Sequence, residues 1–270
     1  MTILIPILIC FAIATVCGVI LTVSSHLFGV KEDEKFLAIR ECLPGANCGA
    51  CGYSGCDGYA KALSNGSAKL TNLCVPGGDG VAKDIADILG VEAEDVVEKV
   101  AYVACNGSCE VSPRKYEYKG EPSCRLANMS YNGDKACTFA CLGYGDCVAV
   151  CPQNAISIKD GIAKINPKLC IGCGICTRIC PNHVIHIVKD TERVAVLCSN
   201  HDKGAVTRKA CKNGCIACGK CEKTCQHDAI KVENNLAVID YEKCVGCGDC
   251  ARACPIGCIV EENFTCGAHS

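Results

Sequence analysis

The chain opens on an unbroken apolar run. From Ile3 to Phe28 there is no Asp, Glu, Lys or Arg, and a helix needs about 20 such residues to cross a bilayer. A secretory leader would show a basic start and a shorter apolar core, whereas no Lys or Arg precedes this run. It predicts one transmembrane anchor over residues 1–30. The first cations, Lys31, Lys35 and Arg40, lie on its C-terminal side. By the positive-inside rule the bulk of the chain is then cytoplasmic, on the inner face of the cell membrane. Residues 31–41 are charged and predict a short helical stalk.

Further on, VAKDIADILGVEAEDVVEKVAYVA (81–104) spaces apolar residues by three and four around Gly90. This predicts one or two amphipathic helices within a helical linker spanning 81–134. A tandem repeat follows, offset by 74 residues, the separation of Lys135 from Lys209. KACTFACLGYGDCVAVCPQNAI (135–156) aligns without gaps with KACKNGCIACGKCEKTCQHDAI (209–230), and KLCIGCGICTRICPNHVI (168–185) with EKCVGCGDCARACPIGCI (242–259). Cys124 falls opposite Cys198, and Cys137 opposite Cys211. Between the cysteine runs, AISIKDGIAKIN and AIKVENNLAVID alternate around Lys-Asp-Gly and Glu-Asn-Asn turns and read as β-hairpins. Helical turns are expected after Pro152, Pro181, Pro255 and Gln226.

Composition changes the picture. The 270 residues include 30 cysteines but only 5 phenylalanines and no tryptophan, too many thiols for packing alone. Most sit two or three residues apart, which in a reducing compartment points to metal or redox chemistry rather than disulfides. With a net charge of −2 and no basic stripe, a nucleic-acid partner is not expected.

A cubane iron–sulfur cluster needs four thiolates at its corners. The run C-x2-C-x2-C-x3-C-P supplies three to one cluster and sends its fourth cysteine to the other cluster of the pair. The second repeat fits fully: Cys215, Cys218, Cys221 and Cys254 for one cluster, and Cys244, Cys247, Cys250 and Cys225 for its neighbour. The first repeat has Tyr144 where Cys218 stands. Its sets are read as Cys137, Cys141, Cys147 and Cys180, and Cys170, Cys173, Cys176 and Cys151, with a three-iron cluster as the alternative at the first. Four-cysteine zinc sites use separated C-x2-C pairs, which interlocking threes and ones do not match. Cys211, Cys215 and Cys218 have radical-SAM spacing, but the repeat already claims two of them.

Within CLPGANCGACGYSGCDGYAKAL (42–63), Cys48, Cys51 and Cys56, with Cys74 beyond, give four more thiolates; zinc is the alternative there. Five [4Fe-4S] clusters result. Cys105, Cys109 and Cys124, joined by Cys198 or Cys211, are the candidates for a sixth. The fold class is α+β: a transmembrane helix, a small helical 4Fe-4S domain (31–80), the linker, and two ferredoxin-like modules at 135–188 and 209–266.

The anchor, the CGxCGYxGC segment 48–56 with Cys74, and the downstream runs resemble the B subunit of the Rnf complex, in the longer clostridial-type form with two ferredoxin modules. The resemblance implies an electron-transfer subunit of an ion-translocating oxidoreductase, without a substrate-transforming site of its own. It implies soluble ferredoxin and the other Rnf subunits as partners. Electrons would enter at the C-terminal modules and leave by Cys48–Cys74, with NAD and flavin bound by other subunits. This chain has no G-x-G-x-x-G after a strand. An iron–sulfur subunit of another membrane oxidoreductase, such as a hydrogenase or formate dehydrogenase, is the alternative.

Overall fold

The computed structural model describes residues 4–28, 33–262 and 264. The first element is helix α1, Leu4–Phe28. Its side chains are described only at Ile7 and from 11 to 24, and its large apolar ones, such as Phe11 and Leu21, are exposed. Among the described residues no helix is long and apolar enough to cross a membrane; the stretch 11–24 alone falls short of the required length.

A small helical domain follows, built from α2 (Glu34–Cys42), α3 (Cys56–Ser64) and α4 (Gly78–Leu89). Asp33 caps α2 by accepting from the Lys35 N–H at 3.1 Å, and Gly90, at φ 68, closes α4 in the left-handed conformation. Ile39, Tyr59, Leu63 and Ile85 form its core. The buried Tyr59 hydroxyl donates to the Leu70 carbonyl at 2.7 Å.

The region read as helical continues differently. Residues 99–103 form strand β1 (Lys99–Val103), not a helix. The stretch beyond Gly90 is short and contains Val100, Tyr102 and Val103, which favour a pleated surface, and a distant partner strand claims it. Only α5 (Cys124–Met129) adds helix to the remainder of the linker.

The first module contains α6 (Asp146–Ala149), β2 (Ile156–Lys159), β3 (Ile162–Ile165), α7 (Ile175–Ile179) and β4 (Ile185–Lys189). Then come β5 (Val194–Val196) and α8 (Gly204–Ala210). The second module contains α9 (Lys220–Thr224), β6 (Ile230–Glu233), β7 (Leu236–Ile239), α10 (Asp249–Ala253) and β8 (Ile259–Glu261).

Both expected hairpins are present. Ile156 pairs with Ile165, and Ile230 with Ile239, in the same register. The turns use left-handed residues, Asp160-Gly161 and Asn234-Asn235, as two-residue hairpin loops require. The last strand of each module pairs with a strand that precedes the module in sequence: β1 with β4, Val103 opposite Ile185, and β5 with β8, Val196 opposite Ile259.

The short helices precede the prolines rather than follow them. Each of α6, α7, α9 and α10 starts after a left-handed glycine (Gly145, Gly174, Gly219, Gly248) and stops before the fourth cysteine of its run. A residue that precedes proline is pushed out of helical geometry, which suits the stops of α6, α7 and α10; α9 stops before Cys225 and Gln226 without a proline.

Candidate metal centres

The left-handed glycine turns gather the cysteines. In each run the third cysteine, Cys147, Cys176, Cys221 or Cys250, is the second residue of its short helix and is buried. The fourth, Cys151, Cys180, Cys225 or Cys254, lies just past the helix end and reaches the neighbouring centre.

In the second module, Cys215, Cys218, Cys221 and Cys254 line one cavity, and Cys225, Cys244, Cys247 and Cys250 line another. About 310 and 340 Å³ within them is not filled by atoms. Cys258 also borders the first, with its sulfur 3.6 Å from that of Cys254. Val184, fully buried, takes its place in the first module, so the position needs packing rather than a ligand.

In the first module, burial and then the charges of Cys170, Cys173 and Cys151 push the Cys176 thiol up to about 12, which places those four together. In the small domain, burial pushes Cys74 up to about 11, and Cys56, Cys51 and Cys48 add to the rise. There the Asn47 side chain accepts the Cys56 N–H at 2.9 Å. Gly55 must be a glycine, since at φ +135 a Cβ would stand 2.9 Å from that Asn47 oxygen. The two domains meet at these centres: the Arg178 guanidinium donates to the Cys48 carbonyl, and Cys48 lies near enough to Cys173 to raise its pKa.

The remaining centre differs from the reading Cys137, Cys141, Cys147, Cys180. Burial, then the charges of Cys141, Cys124 and Cys180, push Cys147 up to about 12. Cys176 of the neighbouring set adds to the rise as well, so Cys124 stands near this centre. Asp146, beside Cys147, holds it there by accepting from the Cys124 and Arg125 N–H groups at 2.9 and 3.0 Å and from Ser123 Oγ at 2.9 Å. Cys137 instead has the Asn200 side-chain amide donating to its sulfur at 3.2 Å and borders a cavity with Cys105, Cys198 and Cys211. Tyr144, in place of a cysteine, donates to the fully buried Asp134 at 2.7 Å and accepts from Arg114, also at 2.7 Å.

Several other sulfurs accept backbone N–H bonds: Cys151 from Ala155 (3.3 Å), Cys141 from Ala163 (3.4 Å) and Cys170 from Ala101 (3.4 Å). Such bonds stabilise a thiolate and tune a cluster's potential. Without iron, buried thiols with raised pKa values keep their protons at neutral pH, so taking up metal releases protons. Among the described residues, no three or more Cys, His, Asp or Glu converge as ligands of a single ion would. A cubane takes its thiolates around a body rather than at a point, and soft thiolate sets suit iron–sulfur chemistry.

Cysteines gathered in fours along ferredoxin-type repeats make the chain an iron–sulfur electron carrier. An Fe-S cluster family matches residues 43–76, and 4Fe-4S dicluster domain families match 136–184, 214–258 and 169–230. The chain is 45% identical, over 95% of its length and 77% of the relative's, to the B subunit of the Na(+)-translocating ferredoxin:NAD(+) oxidoreductase complex of Acetobacterium woodii. It is 42% identical over 84% of its length to the B subunit of the ion-translocating oxidoreductase complex of Methanosarcina acetivorans, covering 86% of that protein. It is 37% identical over 88% of its length to the B subunit of the proton-translocating ferredoxin:NAD(+) oxidoreductase complex of Clostridium ljungdahlii, covering 84%. The chain belongs to the family of Rnf complex B subunits.

Proposed function

We propose that the chain is the electron-transfer subunit of a membrane ion-translocating ferredoxin:NAD oxidoreductase, accepting electrons from soluble ferredoxin and relaying them to membrane subunits. The succession of four-cysteine centres, from the C-terminal module to the small domain that follows α1, carries this reading. Five cubanes are held by Cys48, Cys51, Cys56 and Cys74; by Cys124, Cys141, Cys147 and Cys180; by Cys151, Cys170, Cys173 and Cys176; by Cys215, Cys218, Cys221 and Cys254; and by Cys225, Cys244, Cys247 and Cys250.

A bound cubane takes up and gives back one electron at a time. The chain's residues hold the thiolates in fixed geometry, exclude water with Ile156, Ile162, Ile230 and Ile259, and point N–H donors at sulfur. Arg178 ties the first module to the small domain at Cys48. NAD and flavin are bound by other subunits.

The helix α1 is the membrane anchor, with the bulk of the chain on the cytoplasmic side. Support comes from the sequence, where the apolar run from Ile3 to Phe28 exceeds the roughly 20 residues that a span needs. Its lack of Asp, Glu, Lys and Arg and its outward apolar side chains agree.

The test is anaerobic purification in detergent, followed by mixing with reduced ferredoxin. The brown protein should bleach in the visible on mixing. A colourless chain without sulfide, or absorbance that reduced ferredoxin leaves unchanged, rejects the proposal.

A further inference from the structure

We infer that Cys105, Cys137, Cys198 and Cys211 hold a sixth [4Fe-4S] cluster at the seam between the two ferredoxin modules. The inference rests on the iron–sulfur reading above and adds a centre to it. Neither Cys109, which is exposed, nor Cys124, which faces Cys147, belongs to the set.

The first support is the cavity. The four cysteines line it with Gly107, Gly214 and Asn200, and about 300 Å³ within it is not filled by atoms. The two centres of the second module leave about 310 and 340 Å³, so all three match in size. Gly107 borders the space closely: a Cβ there would touch the sulfurs of both Cys105 and Cys211 at 3.5 Å, an ordinary van der Waals contact.

The second is the set of donors aimed at sulfur. Asn200 is 1% exposed. Its side-chain amide donates to Cys137 at 3.2 Å and its backbone N–H to Cys198 at 3.5 Å. The Cys215 N–H donates to Cys198 at 3.2 Å, and the Cys141 N–H to Cys105 at 3.3 Å. A neutral thiol is a weak acceptor, whereas cluster-bound thiolates are ordinarily met this way.

The third is symmetry. Cys105 follows β1 as Cys198 follows β5, because Val103 and Val196 pair with equivalent residues of the two modules, Ile185 and Ile259. The donors Cys141 and Cys215 are themselves equivalent in the repeat, as are Cys137 and Cys211. Each half therefore contributes two thiols. The halves are joined around them by Asn106 N–H to Leu197 O (3.1 Å), Ser199 Oγ to Ala104 O (2.9 Å) and Asn213 Nδ2 to Asn106 O (3.2 Å).

The charge balance agrees. Lys135 is fully buried, and its ammonium donates to the carbonyls of Gly107 and Gly161, each at 2.8 Å. Among the described residues it pairs with no carboxylate. A buried, uncompensated cation is costly, and a thiolate-bound cluster beside Gly107 supplies the negative charge. On assembly each of the four thiols releases a proton and forms one S–Fe bond. Iron and sulfide come from the same supply that fills the other centres.

The test counts iron and acid-labile sulfide on the full chain purified without oxygen, and maps alkylation of native protein by mass spectrometry. About 24 irons per chain are expected rather than about 20, with Cys105, Cys137, Cys198 and Cys211 protected until iron is chelated. Cys137→Ala with Cys198→Ala should remove about four irons and one reduced-state EPR signal, while Cys109→Ala leaves both unchanged. About 20 irons with these four cysteines freely alkylated, or zinc at the site, overturns the inference and leaves the five-cluster reading standing. A chain without iron overturns both. The wild-type count and alkylation map decide the matter even where the double variant fails to fold.

Discussion

The two ferredoxin modules share a hairpin register and the same pair of helix–cysteine turns, yet their polar interiors are opposite. Around the first module, Asp134 and Lys135 are fully buried, with Asp134 bound by Arg114 and Tyr144. Their repeat mates, Arg208 and Lys209, are exposed. The first module lacks the cysteine at 144 and, on the proposed ligand map, draws Cys124 from the segment between β1 and the module; on the same map the second needs no outside ligand. One scaffold thus tolerates loss of a ligand when an insertion can return a thiol to the same corner. The space vacated by sulfur is used for a buried polar network.

The widest test of this contrast exchanges the two solutions. Cys124→Ser should cost the chain about four irons, and adding Tyr144→Cys should restore most of them by giving the first module the second's pattern. Iron content unchanged in Cys124→Ser would return Cys137 to that centre.

Next comes the buried network. Asp134→Ala strands Arg114, which is itself partly exposed, so the expected loss is about 1–3 kcal/mol. Arg208→Ala should stay within about 0.5 kcal/mol. Denaturant unfolding of anaerobic protein measures both, and equal effects would erase the distinction.

The smallest effect is electrostatic. Removing a nearby buried cation disfavours the more negative, reduced form of a cluster. Lys135→Met should therefore lower the potential of the adjacent centres by on the order of tens of millivolts, while Lys209→Met changes nothing. EPR-monitored redox titration of the two variants separates them.

The hairpins and the repeat were legible because each is local: alternation around a turn, or cysteines at fixed short spacing. The position of Cys137 was not. Tyr144 erased the spacing signal, and the nearest cysteine in sequence was a poor guide to the nearest in space. The alignment of Cys124 with Cys198 followed residue offset, whereas strand pairing makes Cys105 the counterpart of Cys198. Strand β1 was hidden for the same reason. Its apolar spacing reads equally as a helix, and only its partner β4, far along the chain, decides the matter. The helices before the prolines could have been found from the glycines at 145, 174, 219 and 248, each the left-handed start of a turn.

Because β4 and β8 are completed by strands that come earlier in the chain, a fragment cut at the first cysteine of either repeat would lack its partner strand. Such a piece would bare an unpaired edge, and exposed edges recruit neighbours. Excising a working half therefore means starting at Lys99 or Val194, well upstream of the ligands that give each half its colour.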